Sequence, residues 1–222
     1  MIKPDHKRWA RSLFNPYIKR LLRKNFSHFY LVNEPVIENG KGLMVTPNHF
    51  SWWDGFFIEF AIRQFTNRLL HIMMLEEQLN RFWFFRKLGA YSINLNNSKS
   101  IAESLRYTQE ILKNHSNYVV YYPQGAIQPY DLKPVNIKPG LQKIFQDVDI
   151  NANVIPAAFK IQYGEEPLPD IYARFAKPLE GSAVGHTPDV FKEAFCENIH
   201  HLDRSAHKQR YIIDLFNTNK NT

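Results

Sequence analysis

The stretch Leu43-Met44-Val45-Thr46-Pro47-Asn48-His49-Phe50-Ser51-Trp52-Trp53-Asp54-Gly55 decides how the chain is read. The apolar run Leu43 to Val45 reads as a buried strand and the pattern Phe56 to Phe65 as a helix, so a loop lies between them. That loop carries a histidine and, five positions on, an aspartate. A loop leaving a strand can present an imidazole to a cleft, and a carboxylate one turn into the next helix can fold back to hold the ring. This is the base-and-orienter half of a nucleophilic-catalysis site. No Ser or Cys stands where an elbow-type nucleophile would, so the base would act on a substrate hydroxyl. A second reading uses the same residues: Ser51 with Asp54 forms a capping box, whose carboxylate merely satisfies a backbone N–H. His49 and Asp54 make a poor metal site, because no Cys or His-x-His cluster supplies a third ligand.

Outward from this stretch, strands and helices alternate. Strands are expected at Phe29 to Val32, Leu43 to Thr46, Leu69 to Leu75, Tyr91 to Leu95, Tyr118 to Tyr122, Val154 to Tyr163 (broken by Pro156) and Ile171 to Ala176. Helices are expected from about Ser51 to Phe65, Glu76 to Leu88 with Gly89 as C-terminal cap, and Asn97 to Asn114. Two more run from Lys138 to about Asp147 and from Thr187, with Pro188 at the first position, to about Ala206, with further helix to Phe216. The tail Asn217 to Thr222 is polar and expected to fray. The alternation predicts an α/β fold with a mostly parallel or mixed central sheet flanked by helices. In such sheets the cleft lies beyond the C-terminal strand ends. His49 to Asp54, Glu76-Glu77, Leu95 to Asn97 and the turn Pro123-Gln124-Gly125 all fall there.

At 222 residues with 44% apolar content, the chain is read as one domain, residues 29–222, preceded by a helical element at 1–28. Cys196 is the single cysteine, which fits a reducing compartment and excludes an intrachain disulfide. No signal peptide and no apolar run of membrane-spanning length is visible. The formal net charge of +7 is concentrated: residues 1–28 hold Lys3, Lys7, Arg8, Arg11, Lys19, Arg20, Arg23 and Lys24 against Asp5 alone. The rest is balanced, unlike a nucleic-acid binder with a basic face. Residues 6–24 read as an amphipathic helix with Trp9, Leu13, Phe14, Tyr17, Ile18, Leu21 and Leu22 on one side. Aromatic residues opposite a Lys/Arg face suit a membrane interface, with Trp9, Leu13, Tyr17, Arg20 and Lys24 as contacts. The same helix can instead pack on its own domain.

Four blocks taken in order resemble the glycerolipid (PlsC-like, lysophospholipid) acyltransferase family. They are Asn48-His49-Phe50-Ser51-Trp52-Trp53-Asp54, Gly89-Ala90-Tyr91-Ser92-Ile93-Asn94-Leu95, Tyr122-Pro123-Gln124-Gly125-Ala126-Ile127, and Val154-Ile155-Pro156-Ala157-Ala158, with Lys138-Pro139-Gly140 before the last. The resemblance implies that His49 takes the proton of an acceptor hydroxyl as it attacks an acyl thioester on coenzyme A or acyl carrier protein. Asp54 then orients the imidazole, and backbone N–H groups near the helix start or the Gly125 turn stabilise the oxyanion. No metal or further cofactor is implied. Substrate contacts are expected from Asn48, Ser51, Trp53, Asn94, Pro123, Gln124, Gly125 and Lys138. The partners implied are the thioester donor, a lipid acceptor and a membrane surface, at the inner face of the cell membrane.

Departures from the family pattern bear on the acceptor. Where the family has two arginines and a glutamate associated with glycerol phosphate, this chain has Leu95, Ile127 and Gln124. Neither Leu nor Ile can form the bidentate fork that grips phosphate. A non-phosphate lipid hydroxyl is therefore expected, on a glycolipid, a glycosylated isoprenoid or carotenoid, or an amino-acid lipid. A lysophosphatidate acceptor, with Lys99 or Lys138 replacing the charge, is the alternative. A non-catalytic lipid-binding protein on the same fold and a thioester hydrolase are the rivals of other kinds.

Overall fold

The computed structural model describes residues 1–146 and 148–217. The expected helix end at Asp147 and the tail beyond Asn217 lie outside them. In chain order the elements are α1 (Arg8–Asn25), β1 (Phe29–Leu31), β2 (Gly42–Pro47), α2 (Asp54–Ile62), β3 (Leu69–Leu75) and α3 (Glu76–Arg81). A 3-10 turn follows at Trp83–Leu88, then β4 (Ala90–Ile93), α4 (Ser98–Leu112), β5 (Asn117–Val120), α5 (Gly140–Phe145) and β6 (Ala152–Gln162). The chain continues through β7 (Asp170–Phe175), β8 (Leu179–Glu180), α6 (Gly181–His186), α7 (Pro188–His207) and β9 (Ile213–Asp214).

Among the described residues, nine strands make one sheet in the order β4-β3-β5-β2-β6-β7-β1-β9, with β8 beside β6. The five strands from β4 to β6 run parallel, whereas β6–β7, β6–β8 and β1–β9 are antiparallel. Both faces are covered, and alternate residues of the central strands serve opposite layers. Leu43, Val45, Tyr118, Val120 and Ile155 pack with Ile18 and Leu22 of α1 and Phe57 of α2. Met44, Val119 and Val154 pack with Leu105 of α4, Ile144 of α5 and Phe195 of α7. α2 is buried along nearly its whole length, so its apolar residues surround the axis rather than forming a stripe. Beyond Asp54 at its start, the charged residue within it is Glu59, which accepts Arg63 Nε at 2.7 Å and the Tyr118 hydroxyl.

Four expectations are corrected. The helix expected over Glu76 to Leu88 is two pieces, α3 and the 3-10 turn, parted at Phe82 (φ −114, ψ 54). The strand expected to break at Pro156 is continuous: Pro156 pairs opposite Thr46, and its carbonyl accepts from Ala176 N and Asn198 Nδ2. No helix runs on from Ala206 to Phe216. α7 ends at His207, Gln209 turns left-handed at φ +50, and β9 joins β1. α2 begins at Asp54 rather than Ser51. Gly89 closes the 3-10 turn at φ +118, and a Cβ there would lie 2.0 Å from the Leu70 carbonyl oxygen, so glycine is required.

α1 packs on the domain through Ala10, Ile18 and Leu22, although Pro16 lies inside it. Trp9, Leu13 and Tyr17, one turn apart, remain exposed. The segment before α1 is also fastened down, by Ile2 N to Ser92 Oγ (2.7 Å) and by Asp5 N and Lys7 N to the carbonyls of Arg86 and Lys87. Among the described residues no helix is long and apolar enough to cross a membrane.

Candidate active site

β2 and β5 are parallel neighbours with Val45 opposite Val120, so the loops after them leave the same sheet end side by side. This brings His49 against Tyr122 and Gln124 across more than seventy residues of sequence. His49 Nδ1 lies 2.9 Å from Asp54 Oδ2. The same oxygen accepts Phe50 N at 2.8 Å and Ser51 N at 2.9 Å, while Oδ1 accepts the Ser51 hydroxyl at 3.1 Å. The aspartate side chain is fully buried and the histidine side chain 24% exposed. Capping and ring-holding, which looked like alternatives, are thus performed together by one carboxylate. With Nδ1 engaged as donor to the carboxylate, Nε2 is left as the basic nitrogen of the ring. The Tyr122 ring lies 4.2 Å from the imidazole, tilted by 30°. Burial first, and then the Asp54 charge, hold the Tyr122 hydroxyl well above the usual phenol range, so it stays protonated.

The backbone of His49 is fixed on both sides. Its N–H donates to Gln124 Oε1, and its carbonyl accepts Gln128 N at 2.9 Å and, more weakly, Gln124 Nε2 at 3.4 Å. Both polar ends of the buried Gln124 side chain are therefore committed to the loop. Here Gln124, expected as a substrate contact, clamps the histidine backbone. Asn48, also expected as a substrate contact, is buried, donates to Phe159 O (2.9 Å) and accepts Phe159 N (2.7 Å), so it continues the β2–β6 pairing beyond the last strand residue. Trp53 faces the core, edge-on to Phe26 at 5.1 Å, while its neighbour Trp52 is the exposed indole. Ser51 stays within the loop, accepting Trp53 N at 3.0 Å.

Pro123 is buried, and its carbonyl accepts Lys138 N at 2.8 Å. Gly125 takes φ +69, but its N–H donates to Tyr122 O at 3.1 Å, so this amide is used by the turn rather than held for an oxyanion. Lys138 is exposed, with its stem against Gly125. Asn94 sits at the end of β4, beside Glu76 and Asn96. Glu76 accepts the Ser92 hydroxyl at 2.9 Å and so braces β4. Leu95 and Ile127 are both exposed. Among the described residues no three His, Cys, Asp or Glu side chains converge to hold a metal.

An apolar groove of about 580 Å³ opens beside the histidine loop, lined by Leu13, Phe14, Tyr17, Trp52, Phe56 and Trp83 among others, with Arg81 also on its wall. Trp52 and Trp83 were not singled out from sequence; adjacent tryptophans do not reveal which faces inward. Trp9, at 52% exposed, and Trp83, at 61%, extend the same face, with Lys87 Nζ 5.9 and 5.6 Å from their ring centroids.

Comparison with known proteins gives three findings. A family model described as Acyltransferase matches residues 28–160. The chain is 26% identical over 111 residues to the 1-acyl-sn-glycerol-3-phosphate acyltransferase of Streptococcus pneumoniae (strain ATCC BAA-255 / R6). That match covers 48% of this chain and 39% of the relative's length. The fold is similar to the crystal structure of the 1-acyl-sn-glycerophosphate (LPA) acyltransferase PlsC from Thermotoga maritima, with a TM-score of 0.61 at 14% identity. That likeness covers 91% of this chain and 81% of that one.

Proposed function

We propose that this chain, which belongs to the acyltransferase family, is an O-acyltransferase that moves a fatty acyl group from an acyl thioester to a lipid hydroxyl. The observation that carries the reading is the 2.9 Å contact between Nδ1 of a partly exposed His49 and a buried Asp54. His49 Nε2 takes the proton of the acceptor hydroxyl as its oxygen attacks the thioester carbon. Asp54 fixes the tautomer and steadies the imidazolium, and the thiolate leaves and takes up a proton. Positioned base catalysis of this kind supplies about 10²–10⁴-fold. Feeding a purified protein labelled acyl-CoA, acyl carrier protein thioester and a panel of lipid acceptors tests it. Thioester cleavage to free fatty acid without ester formation would instead make the protein a hydrolase.

For the acceptor, the residues support a lipid hydroxyl without a phosphate monoester, such as a glycolipid, a glycosylated isoprenoid or carotenoid, or an amino-acid lipid. Leu95 and Ile127 offer no charge where the family resemblance has arginines. A lysophosphatidate acceptor is the second reading, supported by the name of the Streptococcus pneumoniae relative and by exposed Lys138 beside the Gly125 turn. Offering lysophosphatidate and an uncharged glycolipid with one acyl-CoA separates them, since preferred turnover of lysophosphatidate removes the first.

Chemistry on a lipid hydroxyl calls for a membrane surface, and the groove face suits one. Exposed Trp9, Leu13, Tyr17, Trp52 and Trp83 supply interfacial aromatic and apolar contacts, and Arg20, Lys24 and Lys87 attract anionic headgroups. The location that goes with this is the inner face of the cell membrane.

A further inference from the structure

The segment between β5 and α5 contains no helix or strand, yet beyond Tyr122 and Gln124 it touches the histidine loop twice more. Gln128 N donates to His49 O at 2.9 Å, and Tyr130 sets its ring edge-on to Phe50 at 5.2 Å. Gln128 also closes the segment on itself, donating to Asn136 O at 3.0 Å and accepting Asn136 N at 3.3 Å. The far end of Tyr130 is anchored outside the segment. Its hydroxyl donates to Asp203 Oδ1 of α7 at 2.7 Å. Lys160 Nζ, from β6, lies 3.1 Å from the same oxygen and 5.7 Å from the Tyr130 ring centroid. Burial, together with Asp203, holds the hydroxyl far above the usual phenol range, so it remains a donor at any physiological pH.

The consequence lies one residue further on. Phe50, which Tyr130 packs against, gives its amide to Asp54 Oδ2, the oxygen that also holds His49 Nδ1. A shift of Phe50 therefore alters the acceptor that orients the imidazole. We propose that Tyr130, latched to Asp203, is a positioning residue: it holds Phe50, and through Phe50 and Asp54 it holds His49 in register for proton transfer. The inference rests on the acyl-transfer reading for its kinetic consequence, but not for its structural one. A misplacement of a catalytic group by about 1 Å can cost about 10²-fold in rate, so a long-range anchor of this kind is felt in kcat.

The test uses the full chain with Tyr130→Phe, Asp203→Ala and Asp203→Asn. Tyr130→Phe and Asp203→Ala each remove the latch and should lower kcat by about 10- to 100-fold while leaving KM for the thioester unchanged. Asp203→Asn keeps an oxygen that accepts from the Tyr130 hydroxyl, and should restore kcat towards the parent. The His49 Nδ1–H proton resonance, assigned by its loss in His49→Ala, should broaden or move in the first two variants and persist in the third. The inference is overturned if Tyr130→Phe keeps the parent kcat and resonance, or if kcat falls while the resonance stays unchanged. If the parent protein acylates nothing but the resonance responds as described, the proposed function fails and the positioning role stands.

Discussion

One oxygen of Asp54 gathers the His49 ring and the amides of Phe50 and Ser51, and the chemistry of the site follows from that convergence. Replacing His49 with Ala should lower the transfer rate by about 10²–10⁴-fold while the loop keeps its place, because the His49 backbone is held by Gln124 and Gln128 and Asp54 keeps the amides of Phe50 and Ser51. Asn48 should behave in the opposite way. Asn48→Ala strands the N–H and C=O of Phe159 in a buried strand. It should cost on the order of 2 kcal/mol by urea denaturation, while protein that remains folded keeps its kcat. The two neighbours are told apart by what each touches. His49 and Asp54 were legible in sequence because their contact spans five residues. The hydrogen bonds of Asn48 to Phe159 and of Gln124 to His49 are not legible in sequence, because the partners lie 111 and 75 residues apart. Tyr130 and Asp203, 73 apart, gave no sequence signal at all.

At the scale of elements, β3 and the strapped N-terminal segment make a pH-dependent seam. His71 on β3 is buried edge-on to His6 at 4.7 Å, and its pKa is pushed down from 6.5 to about 4, by burial first and by the nearby His6 second. His6 is lowered too, by burial and then by Arg11. A histidine kept neutral in the fold but free to protonate when unfolded contributes stability that is fully present above about pH 6.5. That contribution is lost as pH falls towards 4, amounting to about 3 kcal/mol at the lower end. Urea midpoints measured across that window should fall with pH for the parent and fall less steeply for His71→Gln. Gly89→Ala should be severely destabilising at every pH, since φ +118 and the Leu70 carbonyl exclude a side chain. Element identity was mostly readable from apolar periodicity and turn residues. The misses share a cause: tertiary contacts overrode local pattern where Pro156 sits inside β6 and where β9 pairs with β1 instead of extending α7.

The whole molecule is a sheet buried on both faces, with the histidine loop at one end and an aromatic groove beside it. Charge counting showed that the excess positive charge belongs to the first 28 positions, but not that α1 would both pack on the domain and expose Trp9, Leu13 and Tyr17. Trp83 joins that face through a 3-10 turn far along the chain, which periodicity cannot predict. Trp9→Ala with Trp83→Ala should weaken co-sedimentation with anionic vesicles by at least about tenfold while leaving thermal stability nearly unchanged, because both indoles are already exposed. The central claim is narrower: a hydroxyl is acylated with His49 as base. It is tested most directly by the initial rate of ester formation from labelled acyl-CoA and a lipid acceptor panel, for the parent and a folded His49→Ala variant. The account predicts an ester product from the parent and a loss of at least about 100-fold in the variant; equal ester formation by both would contradict it.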